Sequence, residues 1–378
     1  MQPYTSSSND FRSDTFTTPT KEMLEAVNFA SIGDAVYNED VNTIQLEKTV
    51  ADIFGKPAGL FCTSGTMSNQ IGIRTLLNVQ PPYSIICDYR AHIYTHEAAG
   101  LAMLSQAMVT PVIPKNGNYL TVEDLEKWII RADGDIHSAP TFIVSLEQTL
   151  HGMVTPFDEL IRIKKFCIEN NIKLHCDGAR IWNACVKQNI DPKKYGTIFD
   201  SISVCLSKSM GAPIGSVLLG SPNFIKKANH FRKQVGGGIR QSGIISSMAL
   251  VAIQPGWERK LQYSHDLAAE LNDFLVNELN IPLESPTETS FVFIDLESAK
   301  INPDVLVKKA LKYGCRVMGG RIAFHYQIDR ENISKLKLAI KETYEYSKKY
   351  PFDHKGPTQI YRSESTDIIN ADIQTYKY

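Results

Sequence analysis

The chain of 378 residues carries 40 Lys and Arg against 41 Asp and Glu, which gives a net charge of −1. This balance gives no reason to expect binding to nucleic acid or to an anionic membrane, and no run of about 18 apolar residues predicts a membrane span. The polar N-terminus lacks the features of a signal peptide, and the seven cysteines form no CxxC pair. We therefore expect a cytoplasmic protein with reduced thiols and no metal site.

Short apolar segments alternate with amphipathic segments up to Pro255. The predicted helices are TIQLEKTVADIFG (43–55), SGTMSNQIGIRTLL (64–77), TVEDLEKWIIR (121–131), which Thr121 opens with Asp124 in its first turn, and DELIRIKKFCIENN (158–171). The predicted strands are AGLFC (58–62), SIICD (84–88), TPVIP (110–114), TFIVSLE (141–147), IKLHCD (172–177), SISVCL (201–206) and GSVLLG (215–220). This alternation predicts an α/β fold with a mainly parallel sheet that helices cover on both faces.

The pattern changes near Pro255. Beyond it, amphipathic helices are predicted at 265–280, 303–313 and 333–350. We expect an N-terminal arm, a large domain, a smaller α+β C-terminal domain and a polar tail, at 1–30, 31–255, 256–350 and 351–378 respectively. The tail is expected to be extended or loose.

Lys208 stands just beyond the predicted strand SISVCL, in a segment of small residues, SKSMGAPIGS (207–216). A lysine at the end of a strand usually reaches solvent, which is one interpretation. The other is that its amine is held at the base of a cleft, where it forms a Schiff base. The neighbouring motifs bear on this choice.

Two further motifs favour a binding site. Ser64, Gly65 and Thr66 lie between a strand and a helix, where backbone N–H groups and two hydroxyls can bind phosphate. An ordinary helix cap is the alternative there. Asp177 ends a strand at the sheet edge where open α/β sheets bind ligands. A buried carboxylate needs a positive partner, which could be a pyridinium nitrogen or Arg180.

Lys208 and Asp177 end consecutive predicted strands, so we expect both at the same edge of the sheet. A phosphate-binding turn, a strand-end Asp and a strand-end Lys in this order indicate a site for pyridoxal 5′-phosphate. The lysine binds the cofactor aldehyde and the aspartate keeps the ring nitrogen protonated. The small residues around Lys208 leave room for the ring and the substrate.

Six motifs together are typical of one family: RSDT, GDAVYNED, SGTMSNQ, HCDGARIWNA, CLSKSMGAPIGS and GGGIRQSG. Over nearly its whole length the chain resembles the low-specificity L-threonine aldolases, in their fungal form. The resemblance implies the aspartate aminotransferase-like fold (fold type I) of pyridoxal phosphate-dependent enzymes, with a seven-stranded sheet in the large cofactor-binding domain.

The resemblance also implies roles for the matching residues. Lys208 is the Schiff-base lysine, Asp177 is the partner of the ring nitrogen, and His92 of RAHIYTHE (90–97) stacks on the ring. His96 lies close by, and the residue pattern alone does not choose between the two histidines. The implied cofactor-binding residues are Ser64, Gly65, Thr66, His92, Asp177, Arg180, Lys208, Lys233 and Arg240.

The implied substrate contacts are Ser13, Tyr37, His151, Arg180 and Arg321. Ser13 and Arg321 resemble residues that bind the substrate carboxylate, which a planar guanidinium fits by two parallel hydrogen bonds. A surface ion pair is the alternative for Arg321. Arg180 would contact either the phenolic oxygen of the cofactor or the substrate carboxylate.

A third group of residues implies a shared site. Lys233, Arg240 and Tyr37 match residues that reach the site from a neighbouring subunit, in a homodimer or homotetramer. Lys233 and Arg240 flank three consecutive glycines, 236–238. On composition alone that segment is a flexible surface loop, because glycine runs lose much conformational entropy when they are ordered.

The chain departs from the family at EQTLH (147–151). Bacterial members read ENTH there, so the family histidine falls on Leu150 and His151 is displaced by one residue. Near a strand end, a displacement of one residue changes the direction of a side chain. Whether His151 contacts the substrate hydroxyl is left open by the sequence.

The resemblance implies reversible cleavage of L-threonine or L-allo-threonine to glycine and acetaldehyde. The base that takes the β-hydroxyl proton could be His92, His151, a bound water or the cofactor phosphate. One alternative is another lyase of the same fold that acts on β-hydroxy or β-substituted amino acids: a phenylserine aldolase, a serine hydroxymethyltransferase-like enzyme or a β-eliminating lyase. A non-catalytic scaffold is a third possibility, against which the retained Lys208 and Asp177 argue.

Overall fold

The computed structural model describes residues 7–353, so residues 1–6 of the expected arm and residues 354–378 of the expected tail lie outside it. The strands of the main sheet are β1 (Ala58–Cys62), β2 (Ser84–Asp88), β3 (Met108–Val112), β4 (Thr141–Glu147), β5 (Lys173–Gly178), β6 (Ser201–Cys205) and β7 (Ser216–Gly220). Their order is β1-β7-β6-β5-β4-β2-β3. Only β7 runs antiparallel to its neighbours, β1 and β6. The predicted mainly parallel, seven-stranded sheet is confirmed.

Helices flank the strands along the chain. Within residues 7–353 they are α1 (Lys21–Ala26), α2 (Val41–Ile53), α3 (Gly65–Leu76), α4 (His92–Thr95), α5 (Gly100–Ser105), α6 (Val122–Trp128), α7 (Phe157–Glu169), α8 (Ile181–Gln188), α9 (Pro192–Ile198), α10 (Pro222–Gln234), α11 (Gly243–Ala252), α12 (Trp257–Asp273), α13 (Pro303–Lys312) and α14 (Arg330–Lys349). A π-helical turn at Phe274–Glu278 continues α12. A second, antiparallel sheet pairs β8 (Phe291–Phe293) with β9 (Arg321–Ala323).

Side-chain hydrogen bonds cap several helices at the positions that the sequence predicts. Thr121 and Asp124 form a reciprocal capping box at α6, in which each side chain accepts the other residue's backbone N–H. Ser64 caps α3 by accepting the N–H of Met67 at 3.1 Å. These bonds satisfy N–H groups that have no partner within the helix.

Two predicted elements are displaced in the structure. The strand predicted at 110–114 is Met108–Val112, because its register follows β2, where Met108 lies opposite Ser84. Pro111 is tolerated there since β3 is an edge strand. The helix predicted at 265–280 begins at Trp257, after Gly256 at φ 99°, because buried Trp257 and Leu261 extend its apolar face.

The buried side chains form two main clusters. The larger packs the helices against the main sheet, and Trp182 lies edge-on to both Phe54 and Trp257. The smaller joins α12, α13 and α14 with β8 and β9, and it includes Phe11 near the N-terminus. Phe11 therefore attaches the N-terminal segment to the smaller cluster.

All seven cysteines are buried and free, so they pack as small hydrophobic side chains. Among the helices between residues 7 and 353, none combines the length and the apolar character that crossing a bilayer requires.

Candidate active site

Lys208 and Asp177 meet at one edge of the sheet. Asp177 lies in β5 opposite Ser203 of β6, and half-buried Lys208 follows the end of β6 by three residues. The positive charge of Lys208 acts on Asp14, His92 and Glu147, because it contributes to the pKa of each. The structure therefore groups the predicted lysine with the predicted aspartate and histidine.

Asp177 is a buried carboxylate, 3% exposed, that has no ion pair among residues 7–353. The Asn69 amide donates to its Oδ2 at 2.8 Å, and the Ala179 N–H donates to its Oδ1 at 3.0 Å. Both donors are neutral, so neither supplies a positive charge to the carboxylate. The site thus fits a cationic ring nitrogen at this carboxylate.

Pairing of Asp177 with Arg180, one interpretation of the sequence, is wrong. Arg180 donates through Nε and Nη2 to the two oxygens of Asp14, at 2.8 and 2.6 Å. Asp14 is fully buried, and although burial opposes ionisation, Arg180 holds its pKa well below the usual range. Arg180 pairs with Asp14 for a geometric reason. Two parallel hydrogen bonds form only where a carboxylate lies alongside the guanidinium group, and the carboxylate in that position is Asp14.

His92 begins α4 and lies among buried carboxylates. Its backbone N–H donates to Glu147 and its Nδ1 bonds to Glu97 Oε1, each at 2.9 Å. Burial alone would lower the pKa of His92, but the bond to Glu97 and the charge of Asp177 raise it above its ordinary value. His96 is exposed and its ring stacks on His92 at 5.6 Å, so the structure favours His92 as the inner histidine.

Glu147, at the end of β4, lies opposite Asp177 in the sheet. Burial and the negative charge of Asp177 raise the pKa of Glu147 above its usual range. Glu97 is also buried, at 4% exposure. One ligand atom from each of His92, Glu97 and Asp177 lies within 4.8 Å of the others. This edge of the sheet therefore concentrates acidic groups around a site for positive charge.

The predicted phosphate turn opens α3 beside the end of β6. Ser64 is the N-cap, and Gly65 and Thr66 are the first helical residues. A Cβ at Gly65 would lie only 2.6 Å from Cys205 Sγ, so this position requires glycine for close packing. The helix start therefore lies next to the strand that leads to Lys208. Ser64 accepts the N–H of Met67 there as an ordinary helix cap, which leaves the N–H groups of Gly65 and Thr66 for an anion.

Two arginines converge on Phe291. The guanidinium carbons of Arg180 and Arg321 lie 4.6 and 4.8 Å from the centre of its ring. Arg321 is buried, at 8% exposure, and donates to the Arg12 carbonyl at 3.2 Å, so its side chain does not lie on the surface of the single chain. Ser13, which is 7% exposed, caps a short helical turn next to Asp14. The structure thus brings together Ser13, Arg180 and Arg321.

His151 lies close enough to these arginines for their charges to act on its ring. It adopts φ 50°, and its ring stacks on Phe293 with centres 5.4 Å apart. Burial and the charges of Arg90, Arg321 and Arg180 lower the pKa of His151 to about 4. Leu150 is buried, at 6% exposure. The displaced histidine is therefore a neutral group near the arginines at physiological pH.

Tyr37, Lys233 and Arg240 differ from this group in their exposure to solvent. All three are exposed, and Arg240 pairs with Asp34 at 2.9 Å. In the described part of the chain, no hydrogen bond or ion pair joins any of them to His92, Asp177 or Lys208. Their predicted role at the site of a neighbouring subunit therefore stays a prediction.

Sequence reasoning missed four residues that organise the site: Asp14, Asn69, Glu97 and Phe291. Asp14 and Asn69 stand inside the motifs RSDT and SGTMSNQ, and Glu97 ends RAHIYTHE. These three residues could have been identified as polar side chains in segments that are otherwise expected to be buried. Phe291 carried no such signal, because an aromatic residue in a strand is common in any core.

The model of the beta-eliminating lyase family matches residues 10–299. The fold and the site thus define a lyase of this class. A low-specificity L-threonine aldolase of Eremothecium gossypii is 65% identical, and the match covers 100% of this chain and 98% of that protein. A low-specificity L-threonine aldolase of Saccharomyces cerevisiae is 63% identical, and the match covers 99% of this chain and 98% of that protein. The chain belongs to the low-specificity L-threonine aldolase family.

A solved structure agrees with the fold. The threonine aldolase of Leishmania major superimposes with a TM-score of 0.74 at 19% identity, over 88% of this chain and 99% of that one. At this identity the likeness concerns the arrangement of the elements. It supports the aspartate aminotransferase-like architecture expected from the sequence.

Proposed function

We propose that this chain is a pyridoxal phosphate-dependent aldolase that cleaves L-threonine and L-allo-threonine to glycine and acetaldehyde, in threonine catabolism and glycine biosynthesis. The observation that carries the proposal is the identity of 65% and 63%, over nearly the full length, to proteins named low-specificity L-threonine aldolases. The grouping of Lys208, Asp177 and His92 at one sheet edge supports it.

The residues at this edge fit pyridoxal phosphate. Asp177 is buried without a cationic partner in the described chain, and a protonated pyridine nitrogen would supply the missing charge. Lys208 would hold the aldehyde carbon, and the turn at 64–66 would bind the phosphate at the start of α3. When bound, the cofactor supplies an electron sink for the bond that breaks at the substrate α-carbon.

The substrate carboxylate would bind between Arg321, Arg180 and Ser13. The two guanidinium carbons lie 4.6 and 4.8 Å from the centre of one aromatic ring, so both arginines are close to the same side chain, and a guanidinium binds a carboxylate by parallel hydrogen bonds. Asp14 fixes the orientation of Arg180 by two bonds. This arrangement orients the amino acid, because a carboxylate held at one end limits where its β-carbon can lie.

The β-hydroxyl proton needs an acceptor, for which His151, His92, a bound water or the cofactor phosphate are the candidates. The lowered pKa of His151, about 4, leaves its ring neutral but makes it a weak base. The bond to Glu97 and the charge of Asp177 raise the pKa of His92, which makes that ring the stronger base while its Nδ1 is engaged by Glu97. The two shifts act in opposite directions on availability and on basicity, so all four candidates are retained in the proposal.

The active form would be a cytoplasmic homodimer or homotetramer with shared sites. Tyr37, Lys233 and Arg240 are exposed in the single chain and would complete the site of a neighbour. Exposed apolar side chains near Tyr37 support a contact there, since Phe29 and Ile32 are 87% and 76% exposed. Large exposed apolar residues in one stretch are typical of interaction surfaces.

The test is an assay without folate. The purified protein, supplied with pyridoxal phosphate, is expected to absorb visible light and to convert L-threonine to equal amounts of glycine and trapped acetaldehyde. Pyruvate and ammonia from L-serine, with no acetaldehyde from threonine, would indicate a β-eliminating lyase instead. A requirement for tetrahydrofolate would indicate a hydroxymethyltransferase, and a colourless protein would indicate a scaffold.

A further inference from the structure

Asn69 of α3 joins two buried carboxylates at the site. Its side-chain Nδ2 donates to Asp177 Oδ2 at 2.8 Å and to Glu97 Oε1 at 2.9 Å. Its Oδ1 bonds to His175 Nε2 at 3.1 Å. Asn69 is 1% exposed, so each of these bonds is shielded from water. Both amide hydrogens are thus used by two different acidic groups.

The hydrogen positions in this network follow from the residue chemistry. Ionised carboxylates only accept, so the NH₂ group of Asn69 must face them and its Oδ1 must face His175. His175 is fully buried, and burial lowers its pKa to about 4, so the ring is neutral. Its Nε2 therefore carries the hydrogen, and its Nδ1 accepts from Ser201 Oγ at 2.7 Å. The chain of donors runs from Ser201 through His175 to Asn69.

Glu97 extends the network to the ring-stacking histidine. Its Oε1 accepts from Asn69 and also bonds to His92 Nδ1 at 2.9 Å. Its other oxygen, Oε2, accepts from Gln70 Nε2. One amide group therefore connects Asp177 with the residue that holds His92. Gln70, the next residue of α3, contacts Glu97 without contacting Asp177.

We propose that Asn69 is a positioning residue that holds Asp177 and Glu97 in one orientation, so that Asp177 meets the cofactor ring nitrogen while His92 lies against the ring face. His175 acts on Asn69 by fixing the direction of its amide. Neighbouring buried carboxylates repel each other, and without a donor between them one takes up a proton or rotates away. The inference rests on the proposed function, because it assumes that pyridoxal phosphate binds here.

The test compares Asn69→Leu with Gln70→Met, two substitutions of similar size at adjacent positions. Each protein is loaded with pyridoxal phosphate that carries ¹⁵N in its ring, and the ¹⁵N signal and the cofactor dissociation constant are measured. Wild type and Gln70→Met are expected to show a protonated ring nitrogen. Asn69→Leu is expected to shift the signal toward the deprotonated form and to weaken binding at least about 10-fold, through loss of a charge-assisted bond.

A folded Asn69→Leu protein whose ring signal and dissociation constant match those of Gln70→Met would overturn the proposal. A wild-type protein that binds no cofactor would instead overturn the proposed function, and one that holds the cofactor with a deprotonated ring nitrogen would overturn the role of Asp177 on which the inference depends. The two failures are therefore distinguishable, because the second appears without any substitution.

A second measurement needs no change at Asn69. In ¹⁵N-histidine-labelled wild type, His175 is expected as the neutral Nε2–H tautomer, with its signals assigned by their loss in His175→Gln. An Nδ1–H tautomer would overturn the proposal, because Asn69 Oδ1 would then have no donor. His175→Gln, whose amide can still donate to Asn69, is expected to keep the protonated ring signal, and His175→Met to lose it in part.

Discussion

Asp14 and Arg180 form a two-bond ion pair across 166 residues of chain. Ser209, the residue after Lys208, also donates to Asp14 Oδ2, at 2.7 Å. The pair therefore ties the N-terminal segment to the start of α8 and to the loop that carries the lysine. Asp14 is fully buried, so its charge depends on these donors for compensation.

Asp14→Asn is expected to lower the free energy of unfolding by about 3–5 kcal/mol, since it removes the charge of a fully buried carboxylate that accepts two bonds from Arg180, whose side chain is 12% exposed. Chemical denaturation followed by circular dichroism measures this. The exposed pair of Glu331 and Lys335 provides the control, and Glu331→Gln should leave stability nearly unchanged. Equal midpoints for the two variants would show that the Asp14 pair contributes no more than a surface pair.

Lys208→Ala is expected to abolish turnover and to leave the fold intact, because the side chain is half-buried at the end of β6 and outside both cores. Borohydride reduction of the loaded wild type, followed by peptide mapping, should place the pyridoxyl group on Lys208. The exposed Lys226→Ala variant is the control and should be labelled like wild type. A label on any other lysine contradicts the assignment.

Asp177→Asn is expected to bind pyridoxal phosphate and to lose activity by a factor on the order of 10² or more, because a neutral amide cannot stabilise a charge on the ring nitrogen. Absorption spectra establish cofactor binding, and the rate of acetaldehyde release gives kcat. A near-normal kcat in the loaded variant would mean that the reaction does not need a protonated ring nitrogen.

His265→Gln is expected to change the pH dependence of stability. His265 is 6% exposed, and burial lowers its pKa from 6.5 to about 4. Between these values the unfolded chain binds a proton that the folded chain does not, so this residue's contribution to stability falls as the pH decreases from about 6.5 to about 4. The full loss is about 3 kcal/mol.

The measurement for His265 is urea denaturation of wild type and variant at pH 7 and at pH 4. The free energy of unfolding should fall from pH 7 to pH 4 by about 3 kcal/mol less in His265→Gln than in wild type. The amide of the glutamine can still donate to Asn183, so the hydrogen bond is kept. The exposed His137→Gln variant should behave like wild type. Parallel curves for wild type and His265→Gln would show that His265 does not titrate differently on unfolding.

Mixing inactive Lys208→Ala chains with inactive Arg240→Ala chains is expected to restore partial activity, if Arg240 completes a neighbour's site. A hybrid dimer would carry one site in which both residues are intact, and dilution should remove cofactor and activity together. Each variant mixed with itself is the control. A mixture that stays inactive, although mass spectrometry shows subunit exchange, would mean that Arg240 acts within its own chain.

The sequence by itself determined the elements and the order of the main chemical groups. Apolar runs predicted the seven strands, and the segments between several of them have the periodicity of helices. The capping residues Thr121 and Ser64 marked two helix starts. Lys208 and Asp177 were expected at one sheet edge because consecutive parallel strands end on the same side. These features are local, since they depend on side-chain period and on bonds within one helical turn.

Only the tertiary structure decided which distant polar groups pair. It joined Arg180 to Asp14 rather than to Asp177, chose His92 over His96 through Glu97, and brought Asn69 to Asp177 across 108 residues. It also inserted β7 antiparallel between β1 and β6. The physical reason is that a buried polar group must find partners among whatever side chains the packed strands and helices bring beside it, and no local pattern records that choice.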